Sequence, residues 1–352
     1  MRKSYIQTFL QNNILVRYIL SIGFLLASLL IGMSIGSISI PVMDILQIVG
    51  GQLFRYQPSS TIDPMYTNII MEIRLPRVLL AGLVGASLAM SGTAFQGLLR
   101  NPLADPYTLG VSSGASLGAV ITIFFSLTLP LLGMFTLPVF SIATAILTMM
   151  IVLLFARRID RSMKVETIIL TGIIFSSFLG SLISLMIALT GDELRQIIGW
   201  LLGSVSMRGW SYITLILPFF IFGSILLMLN GRELNALSFG EERAQHLGVN
   251  VQRRKLLILA AGSMLTGSAV AVSGTIGFVG LVVPHFCRLL WGPDHRHLLP
   301  LSALVGAAFL ILADTAARMI ISPSELPIGV ITSLIGAPIF AIILMKNKRG
   351  RR

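Results

Sequence analysis

Residues 131–156 read LLGMFTLPVFSIATAILTMMIVLLFA and are followed by Arg157, Arg158, Arg161 and Lys164. No charged side chain interrupts the run. About 20 apolar residues suffice for a helix to cross a bilayer. The run therefore predicts a membrane span with a basic cluster at its exit. Other apolar stretches lie at roughly 16–36, 78–98, 108–128, 167–189, 211–229, 255–273, 276–291, 300–320 and 327–345. The stretch 276–291 is short and holds Pro284, His285 and Arg288. The fold class that follows is all-α, a polytopic membrane protein of about ten transmembrane helices forming a single domain over residues 1–352.

Composition points the same way. Of 352 residues, 55% are hydrophobic and 11% charged, where a soluble domain carries roughly 25% charged residues. Mean hydropathy is +0.89. So few charges cannot cover a soluble surface of this size. The net charge of +12 would suggest nucleic acid in a soluble protein. Here it reads as basic residues flanking spans, and no nucleic-acid partner is expected. The single cysteine, Cys287, excludes an intrachain disulfide. Arg2 and Lys3 before an apolar run resemble a signal peptide in part. The run from Tyr18 to Gly36 is long for one and has no small-residue cleavage site, so it is read as the first span.

Charge sets the orientation. Of the 26 Lys and Arg residues, only Arg55, Arg74, Arg77, Arg195, Arg208 and Arg318 fall in one alternate set of loops. The rest fall in the other set, with both termini, and the positive-inside rule places that set in the cytoplasm. The longer extracytoplasmic segments are about 37–76 and 190–210. The second holds Trp200 and Trp210 and reads as an interfacial helix with aromatic anchors. The longest cytoplasmic connection is about 230–254.

Few residues carry chemistry. Gly110, Gly114 and Gly118 share one helix face and suit close helix packing. Residues 110–114 also match G-x-S-x-G, which would make Ser112 a hydrolase nucleophile. That reading needs a histidine base within reach, and the pattern is common in glycine-rich spans. His285, Cys287, Asp294, His295 and His297 invite a metal reading, but they lie around a proline and a polar loop, and no metal or cofactor is expected. The chain lacks G-x-x-x-x-G-K-[ST], so ATP-driven transport would place the nucleotide on another chain. Asp314 is the one clear carboxylate inside a span, with Arg318 four residues on. So few ionisable groups at mid-depth argue against a proton-coupled carrier.

Two polar features stand out. Arg74, Arg77 and Arg318 form a sparse basic rim suited to an acidic partner. In residues 237–248, LSFGEERAQHLG, Gly240 and Gly248 bracket a short helix. Ala244 and Leu247 give it an apolar face, and Glu241 and Glu242, with Arg243, a polar one. It suits a groove on a soluble partner.

Residues 74–77 (RLPR), 100–106 (RNPLADP), 110–115 (GVSSGA), 274–285 (GTIGFVGLVVPH) and 325–330 (ELPIGV) together carry a resemblance. Over about residues 15–345 the chain resembles the FecCD/BtuC-type permease family of bacterial iron-siderophore, haem and vitamin B12 ABC importers. The resemblance implies ten spans, a second permease subunit, two cytoplasmic ATPase subunits and an extracellular substrate-binding protein, all at the bacterial cell membrane. It implies that Arg74, Arg77 and Arg318 receive acidic residues of the binding protein. Leu237, Gly240, Glu241, Glu242, Ala244, Leu247 and Gly248 then match the segment that couples to the ATPase. Asn101 and Leu103 match a loop of the cytoplasmic gate. The cargo expected is an iron(III)-siderophore, with haem or vitamin B12 as alternatives.

Overall fold

A computed structural model of the chain describes residues 13–36, 38–54 and 62–349. Arg2, Lys3, Arg55, Arg351 and Arg352 of the charge comparison lie outside the described residues. Among the described residues there is helix and no strand. The helices are α1 (Ile14–Ser34), α2 (Val42–Phe54), α3 (Pro64–Asn68), α4 (Leu75–Leu98), α5 (Val111–Phe124), α6 (Thr136–Ile159) and α7 (Val165–Leu189). They continue as α8 (Leu194–Leu201), α9 (Trp210–Leu229), α10 (Gly231–Ser238), α11 (Glu241–His246), α12 (Val251–Ser273), α13 (Val279–Trp291), α14 (His295–Met319) and α15 (Ile328–Arg349).

Each predicted apolar stretch coincides with one helix. Among the described residues, 7 helical segments have the length and apolarity of a span, those containing α1, α4, α6, α7, α9, α12 and α14. Of the other three stretches, two form shorter apolar helices, α5 and α13, and the third lies in α15, which is apolar over Ile328–Ile342. The shortness of α5 and α13 has a local cause. Before α5 a 3-10 turn, Pro106–Leu109, leads into Gly110 at φ +83°. That left-handed conformation is cheap only for glycine. Before α13, Gly274 and Phe278 also take positive φ, and the apolar residues between them are not helical. Such backbone is tolerated at depth only where protein satisfies it. Tyr107 does so here: its hydroxyl donates to Ile276 O at 2.6 Å and accepts from Ile276 N at 3.1 Å.

Pro284 lies inside α13. It has no N–H to offer the carbonyl four residues back, which is that of Gly280. Gln96 of α4 donates instead, to Leu281 O at 3.1 Å and more loosely to Gly280 O at 3.4 Å. The missing bond is thus replaced from a neighbouring helix. Ahead of Pro76, a π turn over Ile69–Arg74 joins α3 to α4. A widened turn is a common accommodation within a helix that must continue.

The helices sort into centre and periphery. α4, α12 and α14 are buried along most of their length, whereas α1, α7 and α9 expose most of theirs. The centre approaches closely through small residues. A Cβ on Gly85 would strike the backbone of Gly306, and one on Gly92 that of Gly280. Packing in lipid depends on such contacts, because lipid tails are as apolar as leucine. Against this centre, α5 lies on α6 with Gly114 facing Thr148 and Gly118 facing Thr144 and Phe140. Gly110 differs, since it serves as the left-handed cap of α5.

The segment 190–210 departs from the interfacial reading. Ile197 and Trp200 of α8 are buried in the core, so Trp200 is a packing residue. Trp210 stays near the surface, where its indole N–H donates to Met71 O at 2.9 Å.

Candidate functional site

Two polar clusters sit at opposite ends of the helices. The first forms where α4 begins and α14 ends. Arg74 is buried and donates to Met33 O at 2.6 Å, to Ser34 O at 3.0 Å and to Ile38 O. A cation placed on the last carbonyls of α1 satisfies groups that a helix end leaves open. Arg77 points elsewhere. Its guanidinium forks onto Asp314, with Nη2 2.8 Å from Oδ1, and onto Glu325, with Nη1 2.7 Å from Oε1. Ser206 Oγ lies 3.4 Å from Nη1. Arg318 Nε lies 3.2 Å from Asp314 Oδ2, a charge contact without hydrogen-bond alignment, while Nη2 donates to Gly32 O at 3.1 Å.

The three arginines therefore converge on one end, but not as bare cations. Asp314 has a side chain only 1% exposed and is held between Arg77 and Arg318. Glu325 is the accessible acid, with a side chain 35% exposed. Burial raises its pKa, and the hydrogen bond and charge of Arg77 outweigh that, holding it below the ordinary value. Glu325 belongs to the 325–330 motif, and nothing in its sequence position assigns it to Arg77. Arg77 and Asp314 lie 237 positions apart, so no local pattern pairs them.

The second cluster lies at the other end of the same helices. After α4 the chain turns through Arg100 at φ +48°. Asn101 Oδ1 accepts from Leu103 N at 2.9 Å, which tightens the loop, and Leu103 is exposed. Arg100, Lys164, Glu166, Phe239 and Arg243 line a neighbouring cleft of about 510 Å3. Over it runs the α10–α11 segment. Gly240 and Gly248 take positive φ and bracket α11. Leu237 and Ala244 are buried, Glu241 half-buried and Glu242 exposed. Ala244 and Leu247 therefore do not share a free apolar face: Ala244 packs inward, and Leu247 is 71% exposed. Phe239, which no spacing in the sequence singles out, is 68% exposed and joins Leu247 as the apolar part of this surface.

The remaining candidates do not assemble. His295 Nδ1 and Asn235 Oδ1 lie 2.8 Å apart, His297 meets the Tyr18 hydroxyl, and His285 stacks edge-on to Phe340. Among the described residues none of these histidines hydrogen-bonds Ser112. Asp294 caps α14, accepting from Arg296 N at 3.1 Å and from Asn235 Nδ2 at 2.7 Å. The hydrogen bonds from Arg296, with that from Asn235, hold its carboxyl well below the usual range. Among the described residues no three His, Cys, Asp or Glu side chains converge.

Comparison with known proteins matches this arrangement to a family. The model of the FecCD transport family matches residues 24–346. The chain is 62% identical over 352 residues to YvrB, an ABC transporter permease protein of Bacillus subtilis (strain 168), covering 100% of this chain and 99% of the relative. It is 42% identical over 339 residues to HmuU, a hemin transport system permease protein of Yersinia pestis, covering 94% and 97%. A solved ABC transporter assigned to the metal-chelate type, in an inward-facing conformation, superposes with a TM-score of 0.81 at 34% identity, covering 94% of this chain and 99% of that one. Further relatives are named for cobalamin, molybdate and Fe(3+) dicitrate. The chain belongs to the FecCD transport family, as a multi-pass membrane permease of an ABC importer whose ATP hydrolysis resides in separate partner subunits.

Proposed function

We propose that this permease imports an iron(III)-siderophore across the bacterial cell membrane. It works as one of two permease subunits, on two cytoplasmic ATPase subunits, with cargo delivered by an extracellular binding protein. The chain crosses the membrane ten times with both termini in the cytoplasm. The positive-inside asymmetry of its loops supports this orientation. It puts the Arg77 cluster outside and the α10–α11 segment inside.

The observation that carries the cargo class is likeness along most of the chain to a permease named for hemin and to a transporter of metal-chelate type. The Fe(3+) dicitrate relative adds an iron chelate without a porphyrin. Haem is the second reading, favoured by the 42% identity to HmuU.

Each end then has a task. Arg74, Arg77 and Arg318 dock the binding protein, but through exchange: an incoming carboxylate replaces Glu325 on Arg77, while Asp314 stays in place. The partial exposure of Glu325 against the full burial of Asp314 supports this order. Such charge pairs steer association and fix register. At the other end, Phe239 and Leu247 with Glu242 seat on the ATPase, Glu241 being turned inward onto Lys255, and the Asn101–Leu103 loop closes the path. Uptake of a panel of iron-radiolabelled siderophores, haem and cobalamin, with and without the chain, tests the cargo. Loss of one siderophore on deletion supports the proposal. Loss of haem or cobalamin uptake alone overturns the cargo and keeps the transport role.

A further inference from the structure

Lys255, at the start of the second turn of α12, has a side chain only 1% exposed. Its ammonium lies 2.6 Å from Glu241 Oε1 of α11 and donates to Met163 O at 2.8 Å. One charged group thus joins three elements: the core helix α12, the short helix α11 and the turn between α6 and α7. That turn is itself well fixed. The Asp160 carboxylate accepts from Ser162 N at 2.9 Å and from Ser162 Oγ at 2.7 Å. Met163 sits in it at φ +51°, which leaves its carbonyl aimed at the lysine.

Burial makes the link firm. Separating a buried ion pair leaves an uncompensated charge, so the partners move together more readily than apart. The neighbouring Arg254 repeats the theme on α10, reaching Glu233 at 3.1 Å and Asn230 Oδ1 at 2.9 Å. Positive-φ glycines at 240 and 248 bracket α11, which is tied to the body by buried Ala244 and by the Glu241–Lys255 pair. Beyond Lys255, α12 continues through the core and packs against α4, α6 and α9.

We infer that Lys255 is a positioning residue through which a displacement of α11 reaches the α6–α7 turn, alongside the Arg254 tie from α10 to α12 and a looser bond from Gln252 to Arg161 O at 3.4 Å. This rests on the proposed role of α10–α11 as the ATPase-contacting segment.

The test uses the complete complex with its ATPase subunits in nanodiscs, with Cys287→Ser to remove the native thiol. Spin-label pairs are placed at Gln245→Cys, exposed on α11, with Leu131→Cys, and at Arg161→Cys with Leu131→Cys, residue 131 being the reference at the far end. Both distances should shift between the nucleotide-free and ATP–vanadate states. In Lys255→Met the shift at 245 should persist, and the shift at 161 should fall about fivefold. The swap of Lys255→Glu with Glu241→Lys should restore it. A staple with only a structural role would lower the yield of complex and leave both shifts intact in what assembles, which would overturn the inference. If Lys255→Met does not assemble, Glu241→Gln carries the same comparison from the half-exposed end of the pair. A labelled complex with native Lys255 and no shift at 245 would instead remove the ATPase-contacting reading of α10–α11, and the inference with it.

Discussion

A carboxylate buried between two guanidinium groups stands or falls with its partners, and Asp314 is in that position. Breaking a buried pair by removing one member costs about 3–5 kcal/mol. Arg77→Met should therefore sharply lower the yield and thermal midpoint of the purified permease, because it strips Asp314 of its aligned hydrogen bonds. A midpoint within a degree or two of wild type would show that Arg318 alone suffices. Glu325 makes the opposite prediction. It is the exposed acid on Arg77, and Glu325→Gln leaves the Arg77–Asp314 contact in place. If docking proceeds by exchange, this variant should bind the cognate binding protein about tenfold more tightly, as read by titration onto nanodisc-held complex. Equal or weaker binding would contradict exchange. The pH dependence has a definite sign. The pKa of Glu325 is depressed from the ordinary 4.5, so its contribution to stability is present above that value and is lost as pH falls through the lower folded value. The stability difference between wild type and Glu325→Gln should be level above pH 4.5 and shrink on acidification below it.

At the scale of elements, α11 shows why a short helix defeats pattern reading. Six residues, Glu241–His246, make less than two turns, so periodicity cannot assign a face. Its ends were legible because Gly240 and Gly248 punctuate them, but the inward turn of Ala244 was not. Three substitutions separate the faces. Phe239→Asp and Leu247→Asp should reduce co-purification of the ATPase while leaving the permease's own thermal midpoint unchanged. Ala244→Asp should lower the midpoint itself, since it buries an unpaired charge. If all three behave alike, the division into a packed and a free face is wrong. The spans were legible for the complementary reason: runs near 20 apolar residues carry their own length argument. The stretches before α5 and α13 read as helix in the sequence because apolar residues in buried, non-helical backbone look like any other apolar run. What exposes them is Tyr107 binding Ile276, a contact across 169 positions. The acid partners of Arg77 and the Lys255–Glu241 pair were hidden in the same way, since neither lies within one turn of its partner.

At the scale of the whole molecule, one outward face does not fit its surroundings. The exposed sides of α6 and α9 present Leu147, Leu154, Ile221 and Phe222, as a lipid-facing helix should. α7 exposes Ser177, Ser181 and Ser184 in one stripe, and Gly180 beside them has nothing within 4 Å. Serine and glycine gather where a helix meets another helix or water, because hydrocarbon offers a hydroxyl no partner. In a paired permease that face turns either to the second subunit or to the cargo path between them. Ser181 Oγ donates to Ser177 O at 3.0 Å, so that hydroxyl is satisfied within the helix and can face water. Cysteine accessibility decides between the two. The only native cysteine, Cys287, is buried, so background labelling should be low. Ser181→Cys in the assembled complex should react with a hydrophilic, membrane-impermeant maleimide, and ATP–vanadate should change the rate. Leu154→Cys on the lipid face should stay unreacted under the same conditions. If Ser181→Cys is as silent as Leu154→Cys, the stripe is packed against the partner subunit and the path runs along another helix. If both react, α6 is not lipid-facing, and the arrangement of the pair has to be redrawn.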